Sequence, residues 1–171
     1  TIDLARGRGV RRTDVGGPAR HLGLTPDGRT LWTALGTTAA RIAVLDVSTA
    51  THPRLVRRLT PPFLAHDVAA APRGGRLWIT SGDRGEIAVY DGAGREPVFT
   101  LAADAAPQHV AFAEGVAYVA SGDDGTLRAH RLSDGRRMWT AAVPVGSYNV
   151  TTARGLVVTP SLSGGTLAII S

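Results

Sequence analysis

Cysteine and lysine are both absent from this 171-residue chain. Without cysteine there can be no disulfide and no thiolate metal centre. Without lysine, all 19 basic side chains are arginine, and against 14 acidic ones they leave a formal charge of +5. Aromatic residues are scarce too, at 5%, so a single nucleic-acid strand would find no run of stacking platforms. The arginines are scattered, and only Arg6, Arg8, Arg11 and Arg12 stand close together. A nucleic-acid partner is therefore not expected, and the basic charge keeps it only as a minor alternative. No apolar run approaches the roughly 20 residues a helix needs to span a bilayer. The chain begins at Thr1 with no charged-then-apolar leader, so the expectation is a removed targeting segment or a piece of something longer.

What the chain does contain is repetition. Three sets of anchors recur: Leu22, Val68, Val110 and Val150; Trp32, Trp78, Tyr118 and Val158; Ile42, Ile87, Leu127 and Leu167. Each set steps by 40 to 46 residues, the length of a four-stranded propeller blade. The segments "RLWIT", "EIAVY" and "VAYVA" are rich in β-branched and aromatic residues and read as strands. Turn signals separate them at Thr25–Arg29 ("TPDGR"), Pro72–Arg76 ("PRGGR") and Gly122–Gly125. Gly85, Gly125 and Gly165 recur at 40-residue steps, as expected where a hairpin needs positive φ. The first unit departs there, with Ala40 and a longer "GTTAA" connection. No segment shows a helical period.

The fold class expected is all-β, a β-propeller of four-stranded antiparallel blades. Blades are placed at 16–60, 61–104 and 105–145, with a partial blade at 146–171. Residues 1–15 are read as the outer strand of a preceding blade, the strand itself falling at about Gly9–Val15. Arg57–Arg58 and Arg136–Arg137 then fall on outer strands, where charge discourages edge pairing.

"TPDGRTLW", "RIAVLD" and "APQHVAF" resemble the repeats of the YVTN, or YncE-like, propellers, and the likeness runs along essentially the whole chain. That resemblance implies about seven blades in a full ring, so that the four here are expected to form an arc. The alternative is a four-bladed ring closed by the N-terminal outer strand pairing with the last C-terminal strand. It also implies an exported bacterial protein, often with no assigned reaction. One further segment, "RLSDGRRMW" at Arg131–Trp139, resembles a quinoprotein-type blade, in a single copy. As plain structure it is a hairpin turning at Asp134–Gly135, with Trp139 packed between blades.

Candidate chemistry lies where the innermost strands begin, because those strands line a propeller's axis. The residues just before the first anchors are His21, Asp67, His109 and Asn149, and those one step earlier are Arg20, His66, Gln108 and Tyr148. His21, Asp67, His109 and Asn149 should share one register and face the channel mouth, since a slip of one residue turns a side chain to the other side of its strand. Such a ring could take a small polar ligand or a partner protein. Two imidazoles, a carboxylate and an amide could also suit a borderline divalent ion, although no metal and no cofactor are expected.

The function expected is a non-catalytic binding module. The alternative is a lactonase-type hydrolase, a class that relatives of the resembled group include. Lactone opening needs a base for water and a donor for the oxyanion. His66, Asp67, His109 and Arg20 could fill those roles, but Glu86, Glu96 and Glu114 all fall in turns or outer strands.

Overall fold

The structure, a computed structural model, describes residues 2–9, 11–36 and 41–171. The connection around Ala40 lies outside the described residues. A short hairpin pairs β1 (Ile2–Asp3) with β2 (Arg8–Gly9). Four antiparallel sheets follow in chain order. The first holds β3 (Ala19–Leu24), β4 (Thr30–Leu35), β5 (Ile42–Asp46) and β6 (Arg54–Leu59). The second holds β7 (Ala65–Ala70), β8 (Arg76–Ser81), β9 (Glu86–Asp91) and β10 (Pro97–Ala102). The third holds β11 (Pro107–Ala113), β12 (Val116–Ser121), β13 (Thr126–Arg131) and β14 (Arg137–Ala142). The fourth has three strands: β15 (Thr151–Ala153), β16 (Leu156–Ser161) and β17 (Thr166–Ile170). No helix occurs among the described residues.

The first strands of neighbouring sheets touch one another, β3 against β7, β7 against β11 and β11 against β15, so the sheets fan around one axis like propeller blades. Gly23 permits the first of these approaches, since a Cβ there would sit 2.5 Å from the Val68 carbonyl oxygen. No comparable contact joins the fourth sheet back to the first among the described residues.

The core is a series of layers between sheets, which explains why the middle strands read as unbroken apolar runs rather than alternating ones. Along β4 and β5, Trp32, Ala34, Ile42 and Val44 face the second sheet, while Leu35, Ala43 and Leu45 pack on the other side, against Val15 and Leu55. Along β8 and β9, Leu77, Ile79, Ala88 and Tyr90 face the first sheet, and Trp78, Ile87 and Val89 face the third. Each sequence anchor thus has a direction. Val68, Val110 and Val150 pack backward, whereas Trp32, Trp78 and Tyr118 pack forward onto the next sheet. Arginine ties the layers at their edges: Arg57 donates to the Gly92 carbonyl at 2.7 Å and lies over Trp32, and Arg76 donates to the Leu132 carbonyl at 3.1 Å.

Three local expectations need correction. Residues 11–15 carry no strand; Asp14 instead accepts from the Gly16 amide, and the Arg58 side chain donates to the Val15 carbonyl. That side chain and turn bonding replaces a strand ladder, and it also gives Arg58 a structural use. Gly125 and Gly165 have φ of 61° and 60°, but Gly85 is not in the left-handed region. Gly85 is small for another reason: a Cβ there would meet the Ala103 carbonyl oxygen at 3.0 Å. Finally, Asp134–Gly135 does form the turn between β13 and β14, yet Trp139 is 37% exposed and packs on Tyr118 of its own sheet.

Candidate functional site

Each of the three complete inner strands carries an irregularity at the same place. In β3, Ala19 pairs with Leu35 and Leu22 with Thr33, so Arg20 and His21 together oppose a single residue. In β7, His66 and Asp67 oppose Thr80 alone, and in β11 Gln108 and His109 oppose Ala120 alone. A bulge of this kind breaks strict alternation and re-aims side chains. It is why His66 and Asp67, neighbours in sequence, both contribute to one cluster.

The cluster draws on three blades. The His21 and His66 rings stack with centroids 4.9 Å apart, and His109 meets them edge-on at 5.0 Å and 5.8 Å. Asp67 lies among them. Its Oδ2 is 3.1 Å from His109 Nδ1, and because a carboxylate can only accept, that nitrogen carries the proton and donates. The second oxygen, Oδ1, accepts from the Val68 amide at 2.8 Å and lies 3.8 Å from His21 Nδ1. His66 and Asp67 are buried, whereas about a quarter of the His21 and His109 side chains remains exposed. The cluster therefore opens to solvent on one side.

Burial sets the protonation of these rings. Desolvation pushes His66 down to about 4, with Arg20 and the neighbouring imidazoles adding to the effect and Asp67 opposing it. Desolvation likewise lowers His21, against the pull of Asp67. Both rings are neutral at pH 7, and the contact of His21 with Asp67 is accordingly not an ion pair.

Thr80, fully buried, locks two of the bulges. Its hydroxyl accepts from the Asp67 amide at 3.1 Å and donates to the Gln108 carbonyl at 2.7 Å, so one side chain fixes the backbone beneath Asp67 and His109. Thr33 does similar work within the first sheet, donating to the His21 carbonyl at 3.0 Å. Nothing in the sequence singles out Thr80, since only strand pairing shows that it faces both bulges.

The expected four-residue ring is therefore redrawn. His21, Asp67 and His109 come together, and His66 joins them. Asn149 does not: it is exposed, lies before β15, and its carbonyl accepts from Thr159 of its own sheet at 2.6 Å. The fourth inner strand starts too late, at Thr151, to carry a bulge there. Tyr148 turns away to donate to Asp123 at 2.7 Å, and Gln108 contributes its carbonyl to Thr80. Arg20 is exposed beside the cluster. At the opposite end of the inner strands, turn residues Pro72–Gly74, Glu114–Gly115 and Leu132–Ser133 line a groove of about 720 Å³ between the second and third sheets. It gathers no comparable set of titratable groups.

A family model described as outer membrane protein assembly factor BamB matches residues 22–170. No curated protein sequence matches the chain. Among solved structures, BamB from Moraxella catarrhalis aligns with a TM-score of 0.70 at 18% identity, over 92% of this chain and 48% of that one. Hsv2 from Kluyveromyces lactis aligns with a TM-score of 0.60 at 14% identity, over 85% and 42%. Hsv2 from Kluyveromyces marxianus does so with 0.62 at 14%, over 90% and 48%. At such identities the likeness is one of fold, and the chain spans less than half the length of each of these three structures.

Proposed function

The chain belongs to the propeller family described as outer membrane protein assembly factor BamB, and from that premise we propose that it is a non-catalytic module that binds a partner protein at the end of the axis where the inner strands begin. The supporting observation is the make-up of that end. His21, His66, His109 and Asp67 come from three separate inner strands and open to solvent on one side, with the exposed Arg20 beside them. A small polar ligand would engage only part of a surface that draws on three strands. A polypeptide segment can lie across all three strands, pairing its backbone groups with the imidazoles and carboxylate and an acidic side chain with Arg20.

The test is a peptide-display selection against the immobilised chain. Enriched peptides are expected to lose at least about tenfold in affinity when His109→Ala or Arg20→Ala is introduced, the equivalent of roughly 1.4 kcal/mol. The exposed Arg95→Ala, on a distant turn, should leave them unaffected. Peptides that bind all three variants as well as the unmodified chain would overturn the reading.

One observation favours a second reading, the lactonase type. His109 held by Asp67 leaves Nε2 as a candidate base, with Arg20 nearby for an oxyanion. Turnover of a lactone panel that vanishes in His109→Ala would favour it. No glutamate joins the cluster: Glu86 begins β9, and Glu96 and Glu114 lie in turns.

A further inference from the structure

We infer that His21, His66 and His109 form a three-histidine site for a divalent cation of the zinc class, with Asp67 orienting one of the ligands. The imidazoles come from three different inner strands, yet one donor nitrogen from each lies within 4.8 Å of the others. Around a tetrahedral zinc, with Zn–N of about 2.0–2.1 Å, ligand nitrogens stand roughly 3.3 Å apart. Closing that gap takes small ring rotations, which the partly exposed His21 and His109 side chains can make. His66, buried beneath them, is the fixed member.

The surroundings fit the same chemistry. Histidines that ligate metals donate their other ring N–H to a carboxylate or carbonyl, which fixes the tautomer and raises the basicity of the ligating nitrogen. His109 does this in full, giving Nδ1–H to Asp67 and leaving Nε2 unprotonated as the nitrogen free to ligate. The Asp67 carboxylate is itself held by the Val68 amide. Its negative charge partly offsets that of a dication in a half-buried place. Nitrogen ligands select zinc, copper or nickel over magnesium or calcium, which prefer oxygen cages. Three protein ligands also leave a fourth position, on the exposed side, for water or for a group of the bound partner. The site shares its end of the axis with the partner-binding reading and rests on that end being open to solvent.

Zinc titration of the full chain, followed by calorimetry and by competition with a chromophoric chelator, tests this directly. The expected result is one zinc per chain, with calcium and magnesium failing to compete. Cobalt substituted for zinc should give the visible bands of a tetrahedral nitrogen site. His21→Ala and His109→Ala should each weaken zinc by at least about tenfold, and Asp67→Asn by about 10–100-fold, the usual loss when such an outer carboxylate is neutralised. His52→Ala, on an exposed turn, should change nothing. Because His66 is buried, His66→Gln is read only alongside its melting curve, and the two partly exposed histidines decide the outcome. Zinc bound equally well by His21→Ala and His109→Ala, or a chain that takes up none, would overturn the inference. No peptide enters this experiment, so its failure is separable from failure of the partner-binding reading.

Discussion

Single side chains carry more of this molecule's pH behaviour than its large arginine content would suggest. His130 of β13 is 1% exposed, donates from Nδ1 to the Gly135 carbonyl at 2.9 Å, and packs on Trp78 across the layer between the second and third sheets. Its Nε2 is buried without a partner. A second proton would therefore place a charge with no acceptor inside that layer. Desolvation holds this imidazole below its ordinary 6.5; the Gly135 bond and Asp104 oppose the shift, while Arg128 and Arg137 add to it. The folded state thus binds the proton less readily than the unfolded one, so stability rises with pH across this range. It is full above about pH 6.5, the unfolded value, and declines as the pH falls toward the lower folded value. His66, displaced the same way to about 4, adds to the slope. Melting temperature measured from pH 7.5 to pH 5 should fall, and His130→Gln should fall less steeply. Equal slopes for the two proteins would mean that His130 carries none of the effect.

At the scale of strands and turns, the periodic anchors are legible in the sequence because burial between sheets demands them. Trp32, Trp78 and Tyr118 each seal a layer, and such positions repeat with the blade. The family signal is thinner. The resemblance points to YVTN repeats, and the match found is to the BamB family; only the one quinoprotein-like segment, Arg131–Trp139, leans away from the YVTN repeats. The bulges are not legible at all. Whether two residues oppose one depends on the partner strand, so a period-two rule sends His66 and Asp67 to opposite sides, and β7 breaks that rule. Two tight turns are hidden for a different reason. β11–β12 turns through Glu114–Gly115, with φ of 50° and 81°, and β15–β16 through Arg154–Gly155, with φ of 51° and 77°. Both central residues are left-handed, a geometry that favours Asn-Gly, and neither Glu nor Arg advertises it. A non-glycine residue held there costs about 1 kcal/mol. Arg154→Asn, at an exposed site, should therefore stabilise the chain by about 0.5–1 kcal/mol in chemical denaturation. A loss of stability would show that the arginine makes contacts worth more than the strain.

For the whole molecule, the direction built into each repeat position determines which surfaces are left uncovered. The third anchor is fully buried as Ile42, Ile87 and Leu127, because each faces a following sheet, but as Leu167 the same position is 65% exposed. The first anchor runs the other way: Val68 is 1% exposed against the preceding sheet, while Leu22 in β3 is 63% exposed. Ile169, at 62%, widens the apolar face of the fourth sheet. Both faces have the spacing of a blade interface and are of the kind that drives association when left in water. The 171-residue chain expressed alone is therefore expected to self-associate through them, with light scattering giving a mass above that of one chain and rising with concentration. The double variant Leu167→Lys/Ile169→Lys should return it to a monomer without changing its far-ultraviolet circular dichroism, since neither side chain supports a buried layer. Were the unmodified chain instead a monodisperse monomer with cooperative melting, the two faces would have to cover each other within one chain. Leu22 and Leu167 should then be protected together from surface labelling, and that paired protection would distinguish a closed ring from an open fan.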